Sequence, residues 1–221
     1  MDELPDLLPE PDGDLVLIEE VANHCQRFFG PCVEVLHENI SEFVHIDIYR
    51  FGPDPVSNLV TFVTTGMAEK PMNVPSQVQD PEKYRYAELV LQMPVELFAE
   101  FGQPASWPIA TLVKLARMPH RHETWLWGGH TIGDDPAEPF PGTDLSVAVL
   151  WPPMILPQGF PVLDLSDGRR IVFLTLGFLN AEERAFSKEH YQQGLFEEIA
   201  RRGRKPEEFL VLHPDRASLF A

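Results

Sequence analysis

Apolar positions along this chain change period several times, and each change marks an element. Leu15, Ile18, Val21, Ala22 and Cys25 recur at the spacing of one helix face, which predicts a helix over 15–29. Asp14 is placed to cap it and Gly30-Pro31 to stop it. The period then falls to two. Val33 and Val35 share a face of a strand over 32–38. The stretch 43–51 alternates more clearly: Val44, Ile46 and Ile48 point one way, and His45, Asp47 and Tyr49 the other. Residues 59–65 are β-rich and end at Gly66, and 84–93 read as a further strand. Ser106 and Pro108 open a second helix with Ile109, Leu112, Val113 and Ala116 on its stripe, closed by Pro119.

Residues 125–132, WLWGGHTI, concentrate two tryptophans, two glycines and a histidine. They predict a strand bent at Gly128-Gly129 that delivers His130 at the bend. Residues 133–143 are acidic and Pro-rich, the composition of a surface loop. A buried strand over 146–151 follows, then a hairpin over 163–176 turning at Asp167-Gly168. Asn180 and Glu183 make a capping-box start for helical segments over 181–202, which Gly194 divides. A last strand is read over 209–212. Hairpin-linked strands with few helices predict an α+β domain, a mixed and mainly antiparallel sheet flanked by helices. The domain is expected over 14–221, behind a loose acidic arm at 1–13 that carries Pro5, Pro9 and Pro11.

Charge narrows the function. A formal net charge of −17 argues against a nucleic-acid binder, which needs a basic surface; it would steer a basic partner toward the protein, or simply solvate the surface. No Lys or Arg precedes Arg27 and no apolar run nears membrane-spanning length, so neither a secretory signal nor a membrane segment is expected. Two cysteines, Cys25 and Cys32, make no disulfide framework and suit a reducing, cytoplasmic setting.

Candidate chemistry is sparse. His45 and Asp47 share a strand face, and His130 could join them as a metal ligand set or a base with its orienting group. The simpler reading makes His45 a half-buried, hydrogen-bonded sheet residue. Cys25 lies on an apolar stripe, which suits an inert thiol. Gly66-Met67 reads as a strand-end turn or a ligand loop. The basic cluster Arg201, Arg202, Arg204 and Lys205 could grip an anion or simply favour a helix C-terminus. No nucleophile elbow, phosphate-cradling loop or metalloprotease helix motif is present.

In order, the segments resemble the suppressor of fused domain family. The resemblance is carried by His45-Ile46-Asp47-Ile48, Phe51-Gly52, Thr64-Thr65-Gly66-Met67 and Tyr86-Ala87-Glu88-Leu89-Val90-Leu91. It continues through Trp107-Pro108, Leu115-Ala116-Arg117, Gly129-His130-Thr131, residues 172–178, and Tyr191 with Gly194-Leu195. It spans about 20–215 and implies a mixed α/β domain with no catalytic centre, no cofactor and no bound metal. In animals the similar domain is the N-terminal half of a cytoplasmic repressor, which grips a zinc-finger transcription factor between two domains. This chain ends at Ala221, before any such second domain, so that clamp is not carried over. The bacterial form implied is a stand-alone immunity protein that neutralises a toxin. The expected function is therefore a non-enzymatic protein-binding module in the cytoplasm with a basic protein partner, no nucleic acid and no membrane. The expected binding residues are Trp125, Trp127, His130, Thr65 and Met67. The other reading open to these residues is a metal-binding protein or hydrolase-like enzyme using His45, Asp47 and His130.

Overall fold

The Asp14 carboxylate accepts from the backbone N–H groups of Val16 and Leu17, both at 3.1 Å, and so starts the first helix where its position predicts. The computed structural model describes residues 13–38, 41, 43–134 and 138–221. The acidic arm read over 1–13 therefore lies, up to residue 12, outside the described residues, as do 135–137 of the loop read over 133–143.

The elements run α1 (Leu15–Phe29), β1 (Cys32–Leu36), β2 (Asp47–Phe51), β3 (Leu59–Thr65), β4 (Ala87–Pro94), α2 (Phe98–Phe101) and α3 (Trp107–Arg121). They continue with β5 (Thr131–Ile132), β6 (Leu145–Trp151), β7 (Val162–Asp164), β8 (Arg170–Asn180), α4 (Ala181–Arg201) and α5 (Glu207–Leu210). The strands make one sheet in the order β1-β2-β3-β4-β8-β6-β5, with β7 paired to β8. Of the strand pairs, β4 with β8 is parallel and the rest are antiparallel. The mixed, mainly antiparallel α+β sheet expected from the sequence is what forms.

Both faces of the sheet are covered, so strand residues of either parity are buried. On one face Ile109, Leu112, Leu115 and Ala116 of α3 pack on Ile48, Phe62, Leu89, Leu91, Leu174 and Leu176. On the other, Leu17, Val21 and Cys25 of α1 meet Tyr49, Phe51, Val63, Val90 and Phe173. Further along that side, Leu195 and Ile199 of α4 pack on Val149, Trp151 and Leu179. This double cover explains why the central strand β4 reads apolar almost throughout.

Several sequence expectations need correction. β2 begins at Asp47 rather than 43, because Phe43 takes φ +71°, although Val44 and Ile46 still join Ile48 in the core. A register shift between Cys32 and Glu34 opens β1 at Val33, which is exposed and no longer shares a face with Val35. Residues 81–84 form a 3-10 turn, and the strand read from 84 starts at Ala87. Pro119 lies inside α3 instead of closing it; one missing N–H near the helix end is tolerated where the ring is buried. Residues 125–130 are turn and loop, with a strand only at Thr131–Ile132. The run 209–212 is not a strand: α5 ends at Leu210, and Val211 makes a single bridge to Gln92. Four apolar residues in a row suit a buried helical turn as well as a strand, and Pro206 opens the turn. The break in α4 lies at Tyr191 (φ 58°, ψ 177°), three residues before Gly194.

Candidate functional site

The tryptophan segment leaves the end of α3 and enters β5, the terminal strand of the sheet order. Leu126 anchors it in the core, its backbone N–H directed at the Met72 sulfur at 3.4 Å. Trp125 and Trp127 stay half-buried on either side of that anchor. The ring of Tyr84 meets Trp127 edge-on at 4.5 Å between centroids and Trp125 at 6.0 Å. Such edge-to-face contacts favour an ordered ridge over loose aromatic side chains.

His130 closes the turn twice. Its backbone N–H donates to the Trp127 carbonyl (3.1 Å), and its Nδ1 accepts from the Trp127 N–H (3.3 Å). The imidazole also packs edge-on to Trp125 at 4.9 Å. Burial holds its pKa below the ordinary histidine value, against a hydrogen bond to the Trp125 backbone. A neutral ring with Nδ1 engaged this way shapes the turn. Beside it, Trp125, His130, Ile132 and Met118 line an open cleft of about 540 Å³.

Thr65 and Met67 do not belong to that surface. They are 1% and 0% exposed, at the turn between β3 and the core. The turn is held by Glu88, which is fully buried on β4. Its carboxylate accepts from Thr64 Oγ1 (2.6 Å) and from the N–H groups of Gly66 and Ala68 (3.0 Å each). Burial outweighs these donors and pushes the Glu88 carboxyl up to about 8. His120 of α3 bonds the Met67 carbonyl at 2.8 Å from the helix side. Thr65 and Met67 are therefore members of a packed turn, whereas Trp125, Trp127 and His130 keep part of their surface open. Glu88 lies within the motif at 86–91, but nothing local to that strand shows that its carboxylate holds the turn at 64–68.

His45 and Asp47 do come together, His45 Nε2 lying 3.1 Å from Asp47 Oδ1. The third member is not His130, which leads into β5 at the far end of the sheet order. It is His37, whose Nδ1 lies 3.1 Å from Asp47 Oδ2. Strand register brings it there: β1 and β2 pair antiparallel with Leu36 opposite Ile48, and one more step sets residue 37 opposite residue 47.

Two other expectations can be placed. Cys25 is buried on the core face of α1, and burial pushes its thiol far up, as an inert residue requires. Three members of the basic cluster are paired internally: Arg201 and Arg202 both with Glu198, and Arg204 with Glu208. An aromatic nest unread in the sequence lies on the α3 face, where Trp107 stacks on Phe140 at 4.3 Å and meets Phe178 edge-on at 4.8 Å.

No curated protein matches the chain by sequence. Solved structures do match by fold. A suppressor of fused homolog from Neisseria gonorrhoeae superposes with a TM-score of 0.65 at 16% identity, covering 93% of this chain and 98% of that one. A chain of a Sufu–Fu complex gives 0.62 at 13% identity over 92% of both chains. Drosophila Suppressor of Fused gives 0.60 at 13% identity, over 92% of this chain and 51% of that one. The family model described as suppressor of fused protein (SUFU) matches residues 43–217, from the segment before β2 to the tail after α5. On that match, the chain belongs to the suppressor of fused protein family.

Proposed function

We propose that this chain is a non-enzymatic protein-binding module that works in the cytoplasm. The observation that carries the reading is the likeness, over 92% of both chains, to a suppressor of fused protein solved as a Sufu–Fu complex. The ridge of Trp125, Trp127 and His130 is the proposed contact surface, because rigid half-buried aromatic rings bury large area at little entropic cost. Thr65 and Met67 support the fold behind it. A net charge of −17 makes the partner a basic protein and leaves nucleic acid without an attractive surface. Among the described residues no helix is long and apolar enough to cross a membrane, and none is required. The specific role we infer is that of an immunity protein bound to a basic toxin.

Affinity capture of the full chain from its native cells, followed by reconstitution from purified components, tests this reading. The expected result is a stoichiometric complex with one basic protein. That protein should be toxic when produced alone and harmless when this chain is co-produced. Recovery of no partner, together with turnover of a small molecule by the pure chain, would overturn it.

A further inference from the structure

The His37, His45 and Asp47 cluster is not used by the protein-binding reading, and its arrangement is unusual for a surface hydrogen-bond group. Each imidazole addresses a different oxygen of one carboxylate: His37 Nδ1 lies 3.1 Å from Oδ2 and His45 Nε2 lies 3.1 Å from Oδ1. The carboxylate is nearly buried, its side chain 6% exposed. It is fixed further by the Glu38 backbone N–H, which donates to Oδ1 at 3.2 Å. One donor atom from each of the three residues lies within 4.8 Å of the others.

We propose that these three side chains bind a divalent cation of the zinc class. Two imidazole nitrogens and one carboxylate oxygen form a donor set that suits zinc and its borderline neighbours, and disfavours calcium and magnesium, which take oxygen ligands. In a tetrahedral zinc site with bonds of about 2.0–2.1 Å, ligand atoms sit roughly 3.3 Å apart. Each imidazole nitrogen already lies near that distance from one of the two carboxylate oxygens, so binding through a single oxygen needs the other imidazole to move toward it. His37 can supply that movement because its side chain is 69% exposed.

The surroundings prepare His45 for the role. Its Nδ1 lies 2.6 Å from Ser41 Oγ. Without a cation, Nε2–H donates to Asp47 and the Ser41 hydroxyl donates to Nδ1. With a cation on Nε2, the imidazole proton sits on Nδ1 and donates to Ser41 Oγ. His45 keeps a partner on Nδ1 in either state, as a metal-bound histidine normally does on its second nitrogen. The backbone N–H of His45 is directed at the Glu69 carboxylate (3.4 Å), which adds negative charge to the neighbourhood. Three protein ligands leave a fourth position open on the side of His37, the exposed member of the set.

The test is titration of metal-free full-length protein with zinc chloride against a chromophoric chelator at neutral pH. One equivalent per chain should bind. His37→Ala should weaken that equivalent about tenfold or more, and Ser41→Ala should weaken it less. His37 is exposed, so its variant folds, and an unchanged circular dichroism spectrum of the metal-free variant confirms it. Cobalt substitution should give visible bands of a four- or five-coordinate nitrogen–oxygen site in the parent and lose them in the variant. Absence of a saturable single equivalent, or equal binding by parent and His37→Ala, would overturn the proposal.

Discussion

Gly66 takes φ +106°, and a Cβ there would sit 1.7 Å from the His45 carbonyl oxygen. No side chain fits, whatever its chemistry. Gly66→Ala should therefore destabilise the protein by about 3 kcal/mol or more, read as a lowered urea midpoint. Glu88, which receives the Gly66 N–H, makes a second prediction at this scale. Its folded pKa of about 8 stands above the ordinary value of 4.5, so its contribution to stability is full below about 4.5 and is lost as pH rises through about 8. Unfolding measured across that window should show stability falling with pH in the parent. The slope should be shallower in Glu88→Gln, and equal slopes would contradict the account. Single residues were unevenly legible. The Thr65-Gly66-Met67 turn could be read because glycine after a β-rich run has few other uses. The meeting of His37 with Asp47 could not, because it depends on strand register, which alternation leaves open.

Helix α4 shows how far periodicity carries at the scale of elements. Its start was legible because Asn180 and Glu183 are local to each other, and both capping bonds form: Glu183 N–H to Asn180 Oδ1 at 2.9 Å and Asn180 N–H to Glu183 Oε2 at 3.1 Å. Its break was displaced, since the non-helical residue is the exposed Tyr191. Gly194 serves the break in another way: a Cβ there would lie 2.6 Å from the His190 Cβ. Helix propensity alone makes Gly194→Ala stabilising by about 1 kcal/mol. The packing makes it destabilising by about 1–3 kcal/mol, a difference of sign that thermal unfolding will read directly. The strand at 209–212 failed for a different reason. The run is apolar and short, and whether it coils or extends depends on β4, more than a hundred residues away.

The whole molecule is tied together by contacts that the sequence shows least. The order β1-β2-β3-β4-β8-β6-β5 rests on a parallel pairing of β4 with β8, which no local pattern announces. The C-terminal tail is fastened by Arg216. Its guanidinium pairs with both oxygens of the fully buried Glu183, donates to the Phe178 carbonyl at 2.9 Å and lies 4.4 Å over the Phe209 ring. Arg216→Met strands a buried carboxylate and should cost about 3–5 kcal/mol in urea unfolding; a loss below about 1 kcal/mol would contradict the arrangement. Fold class was legible at this scale because hairpins and capped helices are local, and the resemblance to the suppressor of fused family supplied their order. The placement of the candidate residues was legible only in part. The Trp125–His130 turn forms the half-buried ridge, whereas Thr65 and Met67 are buried at the turn that ends β3. The central claim is that an acidic domain of this family binds a basic protein through that ridge. Calorimetric titration of the reconstituted pair at rising salt, with the parent and with Trp127→Ala, tests it most directly. The account predicts affinity that falls with salt in the parent, and a loss of about tenfold or more in a folded Trp127→Ala variant. Equal affinity of the two proteins would contradict the assigned surface, and affinity indifferent to salt would contradict the basic partner.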